Sequence, residues 1–203
     1  MAFSLEKGTF DALVFDCDGT LVDSAPAHLY SIQQALAPLG LTMSPEWYKQ
    51  RTGLGPDDLL DAYESDFKVA SLIRSDYYQR VNEAYLANLN LIQEIKIVAD
   101  VARKWFGQVP MAVASNGVFK NVEATLIETR LRPLFYTIVT ASDVARPKPA
   151  PDVYMEAARR MRVKPDRVIV FEDSDEGLHA AQSAGMRSID IRTVWSRDLS
   201  SSC

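Results

Sequence analysis

An acidic pair that directly follows an apolar segment near the N-terminus constrains this chain more than any other feature. Residues Ala12 to Phe15 have the composition of a buried strand, and Asp16 and Asp18 come after them, one residue apart. In extended backbone, side chains two positions apart point to the same side, so the two carboxylates are expected to lie close together. Like charges at short distance repel, and one carboxylate takes up a proton unless a counter-charge is near. The pair therefore predicts a bound divalent cation, with a plain surface turn as the alternative.

The length and composition are those of an ordinary globular protein. The chain has 203 residues, of which 47% are hydrophobic, and this is enough for one domain with an insertion. The net charge is -5 without a dense Lys/Arg cluster, which argues against nucleic acids and anionic membranes as partners. No apolar run approaches the roughly 20 residues of a membrane span, and the start MAFSLEKGTF lacks a signal-peptide core. We therefore expect a cytoplasmic protein. A monomer or a weak dimer is also expected.

The two cysteines do not indicate a disulfide framework. Cys17 lies inside the acidic motif, and Cys203 is the last residue. Both are predicted to be free thiols. Because Cys17 stands between two acids, its pKa should be raised, and we do not assign it a nucleophilic role.

The segment from about Ala25 to Asn90 predicts helices and no strand. Apolar residues recur at helical spacing up to Gly40, a residue type that commonly ends helices. Further helices are expected to begin at Ser44 and near Pro56, and a longer one is expected to end near Asn88. This pattern is typical of an inserted helical unit.

Beyond this segment, strands and helices alternate. The predicted strands are Ala12 to Phe15, Met111 to Ala114, Thr137 to Thr140, Val168 to Phe171 and Ser188 to Ile191. Strands that alternate with helices of this length indicate right-handed βαβ units and a parallel sheet with helices on both faces. The sequence therefore predicts an α/β protein with a Rossmann-like, doubly wound core formed by residues 1–24 and 91–203. Residues 25–90 would form an inserted α-helical cap.

Most of the predicted strands of this core lead into polar residues. Beyond the acidic pair, these are Ser115 and Asn116 after the second strand, and Glu172 and Asp173 after the fourth. Lys148, held between prolines in RPKPAPD, precedes a predicted helix. Ligands of such sheets bind beyond the carboxyl ends of the strands, so these groups are expected to converge. Each alone has an ordinary structural explanation as a turn, a helix cap or a solvated charge.

The converging groups match phosphoryl transfer through a covalent aspartyl phosphate. In that chemistry a carboxylate attacks phosphorus, a hard cation with oxygen ligands screens the negative charges, and a hydroxyl and an ammonium hold the phosphoryl oxygens. Mg²⁺ is the expected cation. A zinc site would use His or Cys, and the two histidines, His28 and His179, are at no ligand spacing.

These motifs resemble those of the haloacid dehalogenase superfamily of phosphatases and phosphomutases. DCDGT resembles the first motif, VASNG the second, RPKPAPD the third and FEDSDEGLHAAQSAG the fourth. The resemblance implies that Asp16 is the nucleophile. It implies that Asp18 protonates the leaving oxygen and then deprotonates the attacking water. True dehalogenases of the superfamily lack an aspartate at that place, so Asp18 favours phosphate esters as substrates.

The same resemblance implies the binding residues. Asp16, the backbone carbonyl of Asp18 and Asp173 would hold Mg²⁺, with Glu172 assisting directly or through water. The residues implied to bind the transferring phosphoryl group are Ser115, Asn116 and Lys148.

The helical segment resembles the cap of the branch that contains β-phosphoglucomutase and the small sugar-phosphate phosphatases. In that branch the cap closes over the site and selects small substrates. His28 stands where the branch carries a hinge histidine, with a solvated helix histidine as the alternative. The cap loop has Pro56 where phosphoglucomutases carry an arginine for the second phosphate. Arg51 could still reach a substrate anion, although an ion pair with Glu46 or Asp57 is equally consistent.

These features favour a phosphatase, similar to bacterial fructose-1-phosphate and 6-phosphogluconate phosphatases, with a sugar phosphate as substrate. A β-phosphoglucomutase-like isomerase is the first alternative. A signalling receiver domain and a non-catalytic binding protein are the others. The presence of Asp18, which would turn over a phosphoaspartate, argues against the receiver.

Overall fold

The computed structural model of the chain describes Phe3, residues 5–51 and residues 54–195. Cys203, which was expected to be a free thiol, lies outside the described residues. The chain divides into two compact units, one formed by Met1–Ser24 with Ile92–Cys203 and the other by Ala25–Leu91. We refer to them as the sheet unit and the helical unit.

The sheet unit is built on five parallel strands. The strands in the described ranges are β1 (Ala12–Phe15), β2 (Val22–Asp23), β3 (Gln93–Glu94), β4 (Met111–Ser115), β5 (Thr137–Thr140), β6 (Val168–Glu172) and β7 (Arg187–Asp190). Five of them form one parallel sheet in the order β5-β4-β1-β6-β7. In the middle of this sheet, Val14 pairs with Ala112 on one side and with Val170 on the other.

β1 is the central strand because its residues are apolar on both faces. All four of its residues are buried, as expected for a strand covered by helices on both sides. The chain first adds β4 and β5 on one side of β1 and later adds β6 and β7 on the other side. The strand order therefore reverses at β1, and a crevice is expected beyond its carboxyl end, where Asp16 lies.

Helices complete both units. In chain order the helices of the described ranges are α1 (Ala25–Leu36), α2 (Pro45–Lys49), α3 (Pro56–Phe67), α4 (Arg74–Ala87), α5 (Lys96–Trp105), α6 (Phe119–Glu128), α7 (Asp152–Met161) and α8 (Asp175–Ser183). α7 and α8 pack on one face of the sheet through small and branched side chains. The buried cluster on that face includes Ala12, Val14, Ala112, Ala114, Val139, Val153, Tyr154, Ala157, Val168, Val170, Ala180 and Ala181.

Aromatic rings fill the opposite face. Phe15 stacks on Phe171 with ring centroids 4.9 Å apart, and it meets the edge of Phe135 at 5.7 Å. Rings of this size bury large apolar areas, so they stabilise the sheet at the strands that carry the acidic residues.

The helical unit has its own core. α1 packs against α4, and the buried core of this unit includes Ile32, Leu36, Met43, Leu60, Tyr63 and Tyr77. Ser44 caps α2, because its side chain accepts a hydrogen bond from the backbone N–H of Trp47 at 3.2 Å. Gly40 has the left-handed conformation (φ 70°) that ends the first helical segment, as predicted.

The predicted fold class is confirmed, and one element of the fold was missed. β2 and β3 form a two-stranded antiparallel ribbon in which Val22 lies opposite Glu94 and Asp23 opposite Gln93. It joins the two chain segments that flank the helical unit. Strands of two residues carry no hydrophobic alternation, so sequence periodicity could not indicate them.

No helix in the described ranges is long and apolar enough to cross a membrane. The longest of them, α4, has 14 residues, whereas a span needs roughly 20. The cytoplasmic location stays a prediction.

The C-terminal end of α7 offers a stability test. Arg162 follows this helix in the left-handed conformation with φ 59°, which costs an L-residue about 1–2 kcal/mol. Glycine removes this cost. It also increases the conformational entropy of the unfolded chain, which lowers the free energy of unfolding by about 0.4–1 kcal/mol. Arg162→Gly is therefore expected to stabilise the protein by about 0.5–1 kcal/mol, measured by urea unfolding.

Arg162→Ala is the matched control, because it removes the same exposed side chain and keeps Cβ. It should give no stabilisation. Equal gains in both variants would show that the arginine side chain, and not the backbone conformation, is unfavourable.

Candidate active site

The acidic pair lies on a tight loop at the end of β1. The backbone N–H of Asp16 donates to the carbonyl of Phe171 at 3.0 Å, so this residue still continues the sheet. The carbonyl of Cys17 then accepts the backbone N–H groups of Thr20, Leu21 and Val22 at 3.0–3.3 Å. The loop thus turns back immediately after Asp16 and fixes the direction of its carboxylate.

Gly19 lets this loop approach the end of β6. Its φ is +90°, a conformation that L-residues rarely adopt, and a Cβ at this position would overlap the carboxylate of Asp173. Thr20 fixes the same carboxylate by donating its hydroxyl to Asp173 Oδ1 at 3.1 Å. The first and fourth motifs therefore meet through direct contact.

Lys148 joins the nucleophile candidate to the fourth motif. Its Nζ lies 2.7 Å from Asp16 Oδ1 and 2.7 Å from Glu172 Oε1, and only 4% of its side chain is exposed. Asn116 holds the lysine backbone in place. The amide of Asn116 donates to the Lys148 carbonyl at 3.0 Å and accepts from the Lys148 N–H at 2.9 Å. The role of Asn116 toward phosphate stays a prediction, but its contact with the lysine loop is clear.

Glu172 is hydrogen-bonded through both of its oxygens. Oε1 accepts from Lys148 and from the hydroxyl of Tyr154 at 3.0 Å. Oε2 accepts from the backbone N–H groups of Asp173 and Ser174, each at 2.8 Å, and from the Ser174 hydroxyl at 2.9 Å. The carboxylate therefore lies at the start of α8, where backbone N–H groups and the helix dipole favour negative charge.

The cluster holds more carboxylates than positively charged groups. Burial raises the pKa of the Asp16 carboxyl well above its ordinary value, although Lys148 acts in the opposite direction, and Glu172 and Asp173 raise it further. Burial on its own would lower the pKa of Lys148, but Asp16, Tyr154 and Glu172 together outweigh it and hold this pKa well above its usual range. For Glu172, burial is outweighed by Lys148 and by hydrogen bonds from Ser174, and the pKa is lowered. One lysine thus faces several carboxylates.

The donor set fits a hard cation. Carboxylate oxygens of Asp16, Glu172 and Asp173 lie within 4.8 Å of one another. Oxygen ligands without His or Cys are the chemistry that Mg²⁺ prefers. A dication at this point would also supply the positive charge that the cluster lacks.

Asp18 and Ser115 both lie close to Gly117. The position of a Cβ on Gly117 would be 3.2 Å from Ser115 Oγ and 3.7 Å from Asp18 Oδ2. Ser24, a buried residue just after β2, donates to Asp18 Oδ1 at 2.6 Å. Ser115 Oγ accepts the Gly117 N–H at 3.0 Å, so its own O–H points elsewhere and can serve as a donor.

The remaining two predicted residues belong to the helical unit. The ring of His28 lies 4.6 Å from that of Tyr85. Arg51 stacks over Trp47 at 4.2 Å and pairs with Asp66 at 2.9 Å, which is a different partner from the two acids considered from sequence. Their roles toward substrate stay predictions.

The buried cysteine has the predicted electrostatics. Cys17 is fully buried and free, and burial raises its pKa, with further increases from Asp18 and Asp16. The raised pKa predicted from the two neighbouring acids is confirmed, and burial is the larger cause.

Three residues of the cluster were not found from sequence. Tyr154 and Gly177 lie in ordinary helical patterns, and Ser24 follows a strand too short to predict. A Cβ on Gly177 would overlap the carboxylate of Glu172, so glycine is needed for α8 to pass this close. The one available signal for Gly177 was a glycine within the first turn of a helix, where other residues have higher helix propensity.

Comparisons with known proteins show the family of this chain. A family model described as haloacid dehalogenase-like hydrolase matches residues 13–191. The chain is 31% identical over 195 residues to fructose-1-phosphate phosphatase YqaB of Escherichia coli (strain K12), and the match covers 91% of this chain and 98% of that protein.

Solved structures show the same relationship. The structure of CbbY from Rhodobacter sphaeroides in complex with phosphate matches with a TM-score of 0.79 and 30% identity, covering 89% of this chain and 85% of that one. A mutant of the same protein in complex with xylulose-(1,5)bisphosphate matches with a TM-score of 0.78 and 29% identity, again covering 89% and 85%.

The parallel sheet, the acidic loop and these relatives define a phosphoric monoester hydrolase with a Rossmann-like core. The chain belongs to the haloacid dehalogenase-like hydrolase family. The family and the enzyme class predicted from the motifs are both confirmed.

The contact between Gly177 and Glu172 gives a prediction for stability. Gly177→Ala should destabilise the protein by about 1–3 kcal/mol in urea unfolding, because the new methyl group overlaps a buried carboxylate. Helix propensity alone predicts the opposite sign, since alanine is the better helix former.

Gly55→Ala serves as the control. Gly55 precedes α3 with φ -62°, and its Cβ would be 3.6 Å from the nearest atom, Asp58 Oδ2. This variant should change stability by less than about 0.5 kcal/mol. A Gly177→Ala protein as stable as the unmodified chain would contradict the overlap.

Proposed function

We propose that this enzyme hydrolyses small sugar phosphates, with Mg²⁺ as cofactor, through a phosphoaspartate formed on Asp16. The observation that carries the proposal is the position of Lys148, whose ammonium lies 2.7 Å from Asp16 and 2.7 Å from Glu172. A buried cation beside a buried carboxylate can hold a phosphoryl group while that carboxylate attacks it.

In the first step, an oxygen of Asp16 attacks phosphorus, and the bond between phosphorus and the ester oxygen breaks. Asp18 donates its proton to the departing oxygen, which leaves as an alcohol. Without this proton an alkoxide would have to leave, so the acid contributes on the order of 10²- to 10⁴-fold. The hydrogen bond from Ser24 supports the proposal, because it restrains the direction of the Asp18 carboxylate.

In the second step, water attacks the phosphorus of the phosphoaspartate. Asp18, now ionised, takes a proton from the water, and the bond between phosphorus and Asp16 breaks. Inorganic phosphate leaves, Asp16 is regenerated and Asp18 is again protonated. The same carboxyl group thus serves as acid and then as base, and no further proton donor is needed.

Three residues are proposed to form the phosphate-binding site, two of them by direct contact with the phosphoryl oxygens. The Lys148 ammonium supplies charge and the Ser115 hydroxyl supplies a donor, whereas Asn116 contributes by holding the backbone of the lysine loop. Burial of Lys148 and Ser115 strengthens these interactions, because the local dielectric constant is low.

Mg²⁺ is proposed to bind to Asp16, Asp173 and the backbone carbonyl of Asp18, with Glu172 assisting. When bound, it would neutralise part of the charge on the phosphoryl group and on the crowded carboxylates. The raised pKa of Asp16 supports this assignment, since that carboxylate lacks sufficient positive charge from the protein alone.

A small sugar phosphate is the proposed substrate. A relative named fructose-1-phosphate phosphatase and the structure of mutant CbbY in complex with xylulose-(1,5)bisphosphate support this class. We propose that the helical unit acts as a cap and governs the choice of sugar, with His28 and Arg51 as candidate contacts. A β-phosphoglucomutase-like isomerase remains the alternative, and a receiver-type or non-catalytic module is less consistent with the family.

The first experiment measures phosphate release with Mg²⁺ from fructose 1-phosphate, 6-phosphogluconate, β-glucose 1-phosphate and xylulose 1,5-bisphosphate. One or two of these should be hydrolysed. Asp16→Asn should lower kcat by at least about 10³-fold and leave the fold intact, because the change is nearly isosteric and removes the nucleophile.

Asp11→Asn is the matched control for this variant. Asp11 precedes the same strand at its opposite end and pairs with Arg167 at 2.9 Å on the surface. Its activity should stay within twofold of the unmodified enzyme. Full activity of Asp16→Asn would exclude its role as nucleophile, and conversion of β-glucose 1-phosphate to the 6-phosphate without phosphate release would favour the isomerase.

The metal site can be tested without a substrate. At a Mg²⁺ concentration about 100-fold above Kd, binding should stabilise the fold by about 2.7 kcal/mol and raise Tm by about 5–10 °C. Asp173→Asn should lose most of this increase. In the absence of Mg²⁺ this variant should be at least as stable as the unmodified chain, because one of the crowded charges is gone.

Asp175→Asn provides the comparison two residues further on. The side chain of Asp175 is 90% exposed and pairs with Arg192, outside the carboxylate cluster. It should keep the full Mg²⁺-dependent increase in Tm. An unchanged increase in Asp173→Asn would remove that residue from the metal site.

A further inference from the structure

Tyr154 is a buried polar residue for which the reaction steps above have no role. It lies on α7 with no exposed surface, and its hydroxyl donates to Glu172 Oε1 at 3.0 Å. Phenylalanine would fill the same space without bringing a hydroxyl into the core, where an unpaired polar group is costly. The hydroxyl therefore contributes something other than packing.

The same tyrosine also contacts the lysine. Lys148 Nζ lies 4.9 Å from the centroid of the Tyr154 ring, within the range of a cation–π interaction. The ammonium and the phenol hydroxyl both donate to one oxygen atom, Glu172 Oε1. Tyr154 therefore touches both ends of the bond between Lys148 and Glu172.

This arrangement limits where the ammonium can go. A lysine side chain has four rotatable bonds and little directional preference of its own. Here the ring of Tyr154 lies on one side, and Glu172 and Asp16 accept two of its three N–H donors. Glu172 is in turn fixed by the start of α8 and by the tyrosine hydroxyl.

We infer that Tyr154 is a positioning residue, which holds Glu172 and Lys148 so that the lysine ammonium faces the phosphoryl group on Asp16. The inference rests on the proposed function, because it assigns a role toward the phosphoryl group. Tyr154 itself does not touch the reacting atoms. It acts through the lysine.

The consequence of removing the hydroxyl follows from the shared acceptor. In Tyr154→Phe, Lys148 becomes the only side-chain donor to Glu172 Oε1 among those described. The pair between Lys148 and Glu172 tightens, and the ammonium is drawn away from the phosphoryl group. Its interaction with the transition state weakens more than substrate binding does, so kcat falls while KM changes little.

The test compares Tyr154→Phe with the unmodified enzyme in the presence of Mg²⁺. We expect kcat to fall by about tenfold and KM to change by less than twofold. Calorimetric titration with orthovanadate, which can adopt the five-coordinate geometry of the transition state, should give a Kd raised by a similar factor. Inorganic phosphate should lose less affinity than orthovanadate.

Tyr63→Phe is the matched control. Tyr63 is also buried, and its hydroxyl donates to a single acceptor, the carbonyl of Thr42, at 2.7 Å. Tyr63→Phe loses the same hydroxyl oxygen, and its kcat and orthovanadate Kd should stay within twofold of those of the unmodified enzyme. A second variant, Tyr154→Leu, removes the hydroxyl and the ring together. It should lose at least as much activity as Tyr154→Phe, and it provides the test if Tyr154→Phe does not fold.

The two hypotheses fail in different ways. If Tyr154→Phe has the same orthovanadate Kd and the same kcat as the unmodified enzyme, the role of Tyr154 is overturned. The proposed phosphatase activity is not affected by this result. An unmodified protein that binds orthovanadate but hydrolyses no sugar phosphate would count against the proposed function. The orthovanadate comparison would still decide on Tyr154, because it needs no turnover.

Discussion

The sheet unit depends on one charge arrangement, in which a single buried ammonium faces the carboxylates at the end of a parallel sheet. Lys148 is nearly inaccessible to water and lies within hydrogen-bonding distance of Asp16 and Glu172. Isolated buried charges are unfavourable, and either partner alone would be strongly destabilising. These charges therefore couple three loops, namely the loop after β1, the loop after β6 and the loop that carries Lys148. Each loop supplies a charge that the others require.

Neighbouring elements are shaped to keep these charges close. Gly19 and Gly177 each leave room for a carboxylate where any other side chain would overlap it. Asn116 holds the lysine backbone, and Tyr154 holds the glutamate. Stability and chemistry are thus linked, since the contacts that order the site are also contacts that join distant segments of the chain.

The sequence predicted the sheet well because its strands are continuous apolar runs followed by polar residues. β1, β4 and β6 are buried throughout, and their ends carry motifs from which the family was predicted. The ribbon of β2 and β3 could not be predicted, because two residues have no periodicity. The roles of Tyr154, Gly177 and Ser24 depend on side-chain contacts with Glu172 and Asp18 that form only in the folded chain, and sequence periodicity does not contain this information.

The topology also affects how the protein is made. β1 leaves the ribosome well before its partners, because both of its neighbours, β4 and β6, are synthesised only after the whole helical unit. Until then its apolar residues and the carboxylate that follows them have neither strand partners nor the lysine. Exposed apolar strands of this kind favour aggregation and chaperone binding. The insertion that separates β1 from β4 thus lengthens the period in which the nascent chain needs protection.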